Sequence, residues 1–102
     1  MDIEKIRNAV KKGNVEWKGH SFEKMLERSI SRSDVFEVIL NGEIIEVYES
    51  DEPLPSALIF GWTEKKPLHV VAALNENADI CHIITVYHPD DKHFEHDYKT
   101  RK

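Results

Sequence analysis

The stretch SRSDVFEVILNGEIIEVY, residues 31–48, changes its hydrophobic period in mid-course, and that change sets the fold class. In its first half Val35, Val38, Ile39 and Leu40 recur at helical spacing. Ser31 can cap the first turn while Asp34, three residues on, reaches back to the cap, and Asn41-Gly42 ends the helix. From residue 43 the pattern becomes strand-like. GEIIEVYES (42–50), SALIFGWT (56–63), PLHVVAALN (67–75) and DICHIITVY (79–87) are each rich in Ile, Val, Leu and aromatics and bounded by turn residues. The connectors DEPLP, EKKP and NENAD are short and carry Pro, Asn and Asp, which favours hairpins over crossovers. Four strands in an antiparallel meander are expected.

Upstream, Ile3, Ile6, Ala9 and Val10 form one stripe of a helix over residues 2–12, stopped by Gly13-Asn14. A short extended piece follows around Val15 and Trp17. Gly19 to Ser21 then opens a second helix with Phe22, Met25, Leu26 and Ile30 as its buried face. The expected class is therefore α+β, with two to three N-terminal helices packed on the four-stranded sheet. In the last strand Ile80, His82, Ile84 and Val86 alternate with Cys81, Ile83, Thr85 and Tyr87. Both sets contain apolar residues, so either could face the core, but Thr85 and Tyr87 share a face. The tail HPDDKHFEHDYKTRK (88–102) has no apolar period and reads as a loop, a terminal turn or a frayed end.

At 102 residues, with 40% hydrophobic and 32% charged residues, the chain has length for one core and is expected to form a single domain over 1–102. The charged N-terminal stretch and the lack of a long apolar run point away from a signal peptide and from a membrane span, so a cytoplasmic protein without membrane attachment is expected. Cys81, the lone cysteine, lies in an apolar run and reads as a buried thiol in a reducing compartment. The net charge of −5 is unevenly spread: residues 1–32 hold eight Lys/Arg against five Asp/Glu, whereas 33–63 hold seven acids and no base. A basic and an acidic face on one body can still orient an anionic ligand. The total weighs against a dedicated duplex binder, which draws mainly on phosphate neutralisation.

His20 at the mouth of the second helix, Lys24 and Arg28 follow at four-residue spacing, lining three potential cations along one ridge. An imidazole exchanges a proton near neutral pH and a guanidinium grips two phosphate oxygens, which are the parts of metal-independent RNA cleavage. Thr85 and Tyr87 add a hydroxyl for a phosphate and a phenol to stack on a base or donate a proton. His69 beside that face would be a second proton carrier. The plain alternatives are a helix-capping histidine, a solvated charged face and a tyrosine anchoring a sheet edge, and spacing alone favours them. His93 and His96 at three-residue spacing, near His88, are a weak metal signal without a second ligand pair, so neither metal nor cofactor is expected. A glycine-rich phosphate loop, a nucleophile elbow and a zinc-protease helix are all missing.

HSFEKMLERSISRSDVFEVILNGEIIEVY, PLHVVAAL and ITVYHPD together resemble the bacterial domain-of-unknown-function family 4258, over about residues 20–90, leaving 91–102 as a polar tail. The resemblance implies a RelE/ParE-like α+β fold akin to small ribonuclease toxins, with a zinc-finger antitoxin as partner. It places His20, Arg28, Thr85 and Tyr87 at the motif positions, without an established catalytic assignment. The expectation is a toxin-like component of a type II toxin-antitoxin pair that cleaves RNA through His20 and Arg28, helped by Thr85 and Tyr87, with Lys24 and His69 binding substrate. The alternative is a non-catalytic protein-interaction module, since a fold can be shared without its activity.

Overall fold

A computed structural model describes residues 1–64 and 66–102. In chain order the elements are α1 (Ile3–Lys11), β1 (Val15–Trp17), α2 (Ser21–Glu27), α3 (Arg32–Asn41), β2 (Glu43–Tyr48), β3 (Ser56–Thr63), β4 (Lys66–Asn75) and β5 (Ile80–Tyr87). The expected capping box is formed at α3: Ser31 N donates to Asp34 Oδ2 at 2.9 Å and Asp34 N donates to Ser31 Oγ at 3.1 Å. At the other end Gly42 passes from helix directly into β2. A Cβ there would fall onto the carbonyl oxygens of Val38 and Phe60, so the junction is closed to any larger residue. Arg7 of α1 donates from Nε to Ile39 O (2.9 Å) and from Nη2 to Gly42 O (2.8 Å), satisfying carbonyls that the end of α3 leaves open.

β2 to β5 form the antiparallel meander, but the sheet has five strands, in the order β1-β5-β4-β3-β2. β1 runs parallel to β5, from Val15 opposite Cys81 to Trp17 opposite Ile83. This corrects the four-stranded antiparallel expectation. A strand of three residues, Val15–Trp17, is too short to show alternation, and its partner lies far along the chain. The connector 64–67 includes Lys65, which lies outside the described residues.

The three helices cover one face of the sheet. Ile6, Ala9, Val10, Met25, Val35, Val38 and Ile39 pack there against Ile59, Leu68, Val70, Ala72, Cys81, Ile83 and Val86. Neither alternating set of β5 faces inward as a whole: Cys81 and Ile83 do, and so does Val86. The register shifts beside Val71 and Ala72, whose partners are Thr85 and Ile83, so Ile84 is the extra residue of a bulge that switches the facing of all that follow. The buried face expected for α2 also needs correction. Met25 and Ile30 are buried, but Leu26 is 80% exposed and Phe22 is exposed, stacked on Trp17 with centroids 5.5 Å apart. Cys81 is buried as expected, and burial pushes its thiol up to about 12.

Residues 88–102 are docked, not frayed. They cross the outer sheet face, where Phe94 is buried edge-on against His69 (4.6 Å between centroids) and Tyr98 lies edge-on to Trp62 (5.9 Å). Phe94 and Arg101 form an isolated β-bridge. Lys99 pairs with Glu43 at 3.0 Å and Arg101 with Glu46 at 2.9 Å, so bases of the tail meet acids of the 33–63 segment. No helix among the described residues is long and apolar enough to cross a membrane.

Candidate functional site

Where β5 ends, the last turn of α2 and the docked tail enclose an open cleft of about 500 Å³, lined by Arg28, Tyr87, His88, Asp90, His93, Phe94 and Arg101. Arg28 caps the C-terminus of α2, and its Nη1 donates to Val86 O at 2.6 Å, which fixes the guanidinium beside the end of β5. Arg101 is held from the opposite side. Its Nε lies 3.1 and 2.9 Å from the two Glu46 oxygens, its Nη2 donates to Tyr48 Oη at 3.3 Å, and its guanidinium sits 4.9 Å from the Phe94 ring centroid. Each arginine is thus anchored through part of its fork, leaving other N–H groups for an anion in the cleft.

The two histidines are oriented by their neighbours. His88 Nδ1 is 2.9 Å from Pro67 O, and since a carbonyl only accepts, Nδ1 carries the proton. His93 Nδ1 is 2.8 Å from Asp90 Oδ1, the carboxylate that also accepts from Lys92 N and His93 N in the turn. The His93 hydrogen bond, chiefly, holds the Asp90 carboxyl below its ordinary range. In both rings Nε2 is the nitrogen left without a partner among the described residues.

Behind the cleft is a polar network on the outer sheet face. His69 and Tyr87 stand opposite each other on β4 and β5. His69 is 0% exposed; its Nε2 lies 2.6 Å from Tyr98 O and its Nδ1 lies 3.3 Å from Tyr87 Oη. The carbonyl requires a proton on Nε2, so Nδ1 is the acceptor and the Tyr87 hydroxyl the donor. Burial pushes the His69 imidazole below its usual value and the Tyr87 phenol above its own, with Arg101 opposing the rise at Tyr87. Burial alone would raise the Glu46 carboxyl, but hydrogen bonds from Arg101 and Tyr48 hold it below the usual range.

Of the residues expected from the sequence, Arg28 and Tyr87 line the cleft. His20, Lys24 and Thr85 do not, and His69 stands behind Tyr87. The four-residue helical spacing of the His20, Lys24 and Arg28 ridge is formed, since Lys24 N bonds His20 O and Arg28 N bonds Lys24 O, each at 3.0 Å, although the Arg28 guanidinium turns to Val86 O. The first two side chains have acidic partners close by, His20 Nδ1 lying 3.1 Å from Glu23 and Lys24 Nζ 3.5 Å from Glu27. Thr85 and Tyr87 share the outer face, as their two-residue spacing requires. Arg101, Asp90 and the cleft-lining roles of His88 and His93 were not legible. Phe94 and Tyr98, two aromatic residues inside a polar tail, were the available signs that the segment docks. Among the described residues no three of His, Cys, Asp and Glu converge on a common point, and His93 turns to Asp90 instead of pairing with His96.

The model of the family described as Domain of unknown function (DUF4258) matches residues 17–88. The chain belongs to the DUF4258 family. No curated protein and no solved structure matches it. The DUF4258 match contains Arg28, Tyr87 and His88, together with His20, Lys24, His69 and Thr85.

Proposed function

We propose that this DUF4258 protein is a metal-independent endoribonuclease of the RelE/ParE-like toxin type, acting in the cytoplasm and restrained by a zinc-finger antitoxin. One observation carries the reading: two guanidiniums, two imidazoles and a phenol meet around one open cleft. Arg28 and Arg101 would hold the non-bridging oxygens of a phosphodiester and stabilise the extra charge of a pentacoordinate phosphorane. The ribose 2′-oxygen attacks phosphorus and the bond to the 5′-oxygen breaks, leaving a 2′,3′-cyclic phosphate and a 5′-hydroxyl. His93, held at Nδ1 by Asp90, gives a proton from Nε2 to the leaving oxygen. In this reading Tyr87, with His88 beside it in the cleft lining, takes the 2′-hydroxyl proton. The meander with helices on one face also suits a RelE/ParE-like scaffold.

The test is purified protein with a short single-stranded RNA in excess chelator. Cyclic-phosphate products are expected, with Arg28→Ala lowering kcat/KM by about 100-fold or more. Intact RNA, together with no growth arrest on expression, overturns the reading. A second reading, a non-catalytic interaction module, is favoured by exposed Phe22 and Leu26 beside the open edge of β1. It takes over if Arg28→Ala arrests growth as the wild type does while RNA stays intact.

A further inference from the structure

We infer that His69 is a positioning residue for the cleft: it makes Tyr87 Oη the group that takes the nucleophile's proton and receives Tyr87's own proton at Nδ1. This rests on the proposed ribonuclease reading.

The geometry supplies each part. His69 is fully buried under the docked tail and does not itself line the cleft, so it meets no substrate; its hydrogen-bonded link to the cleft is Tyr87. The Tyr98 carbonyl fixes one tautomer, with the proton on Nε2 and a lone pair on Nδ1 facing the Tyr87 hydroxyl. A phenol whose proton is donated backwards presents an oxygen lone pair forwards, which suits it to accept a proton. Phe60 and Phe94 wall the imidazole edge-on, with centroids 5.7 and 4.6 Å away, and keep its orientation. The charged and titratable groups around the pair are Glu46 and Tyr48 from β2 and Arg101 from the tail, with Asp90 acting on Tyr87. Burial lowers the His69 pKa, which keeps Nδ1 free to accept at neutral pH.

The proton balance closes. The 2′-O–H proton moves to Tyr87 Oη while the Oη–H proton moves to His69 Nδ1. The O2′–P bond forms as P–O5′ breaks, and O5′ takes the His93 Nε2 proton. His69 ends with one proton more and His93 with one fewer; between turnovers His69 returns its proton through Tyr87 Oη to solvent in the cleft, and His93 regains one from solvent.

Two variants separate this role from a structural one. Gln places its amide nitrogen near Nε2, so His69→Gln can keep the donor to Tyr98 O while emptying the Nδ1 position. Asn places its oxygen near Nδ1, so His69→Asn can align Tyr87 without accepting a proton. Expected for His69→Gln is a kcat about 100-fold lower with KM within twofold, no further loss on adding Tyr87→Phe, and disappearance of the acid limb of the kcat profile. His69→Asn should fall between the two and also lack that limb. Wild-type kcat and pH profile in both variants, or losses that multiply with Tyr87→Phe, overturn the inference.

A readout without RNA keeps the two ideas apart. In the 15N spectrum of the wild type, His69 should show a protonated Nε2 and a bare Nδ1 whose shift moves in Tyr87→Phe. Absence of that signature overturns the positioning role. Its presence in a protein that leaves RNA intact overturns the proposed reaction instead.

Discussion

Arg101 Nε lies 2.9 and 3.1 Å from the two carboxylate oxygens of Glu46, a residue 55 positions earlier. This contact ties the tail to the edge strand β2 and also sets one wall of the cleft. Charge alone contributes little here, because the Arg101 side chain is half exposed and water screens the pair. Glu46→Gln is expected to cost about 0.5–1 kcal/mol of stability, read from urea unfolding. Its larger effect should be local, with faster amide exchange over residues 94–102 than over β3 and β4. A uniform change across the protein would show that the pair does not hold the tail.

Stability should fall on mild acidification because of His69. Its folded pKa is depressed from 6.5, so below that value the unfolded chain binds a proton that the folded one does not. The contribution of the neutral imidazole is complete above pH 6.5 and is lost as the pH falls through the folded value. Thermal melting in steps from pH 7.5 to 5 should show this decline in the wild type and a flatter curve in His69→Gln. Glu46 acts in a lower window: its depressed carboxyl contributes above 4.5 and loses that contribution as the pH falls through the folded value.

Gly42→Ala should be the most damaging single methyl in the chain. The new carbon would meet the carbonyl oxygens of Phe60 and Val38, both backbone atoms that cannot turn aside. A loss of roughly 1–3 kcal/mol is expected from the resulting overpacking. Wild-type stability on urea unfolding would mean that α3 can move off β3 at no cost.

Ser31→Ala removes one half of the α3 capping box and should cost about 1 kcal/mol. Ser31→Asp restores an acceptor for Asp34 N but sets a second carboxylate near Asp34, so it should recover only part of the loss. Chemical denaturation of the three proteins gives the order wild type, Ser31→Asp, Ser31→Ala.

The parts of this fold that could be read from residues are the ones whose determinants lie close together in the chain. The α3 cap needs only Ser31 and Asp34, and the meander needs only short connectors between β-rich runs. The extended piece at Val15 and Trp17 was legible, but its place in the sheet escaped because a three-residue strand has no period and its parallel partner β5 lies far along the chain. The bulge at Ile84 escaped because every residue from Ile80 to Val86 except His82 and Thr85 is apolar or a thiol, so no polar alternation marks the switch. The site divides in the same way. Arg28 and Tyr87, singled out for their chemistry, line the cleft, while the place of Arg101 there depends on the path of the whole tail. The local matching of His20 and Lys24 was visible in Glu23 and Glu27, each three residues onward, and lowers the weight of the ridge.

The docked tail bears on where this domain can be cut. The family match ends at residue 88, whereas Asp90, His93, Phe94 and Arg101 of the cleft lie after it, and the α1 stripe of Ile6, Ala9 and Val10 lies before it. A fragment trimmed to 17–88 would keep the β2 to β5 meander yet lose one wall of the cleft, uncover Phe60 and His69 on the outer face, and bare the parts of α3 and β5 that α1 covers on the other. Trimming would thus turn two protected faces into adhesive ones, and an inactive, aggregating fragment would say nothing about the chemistry of the intact chain.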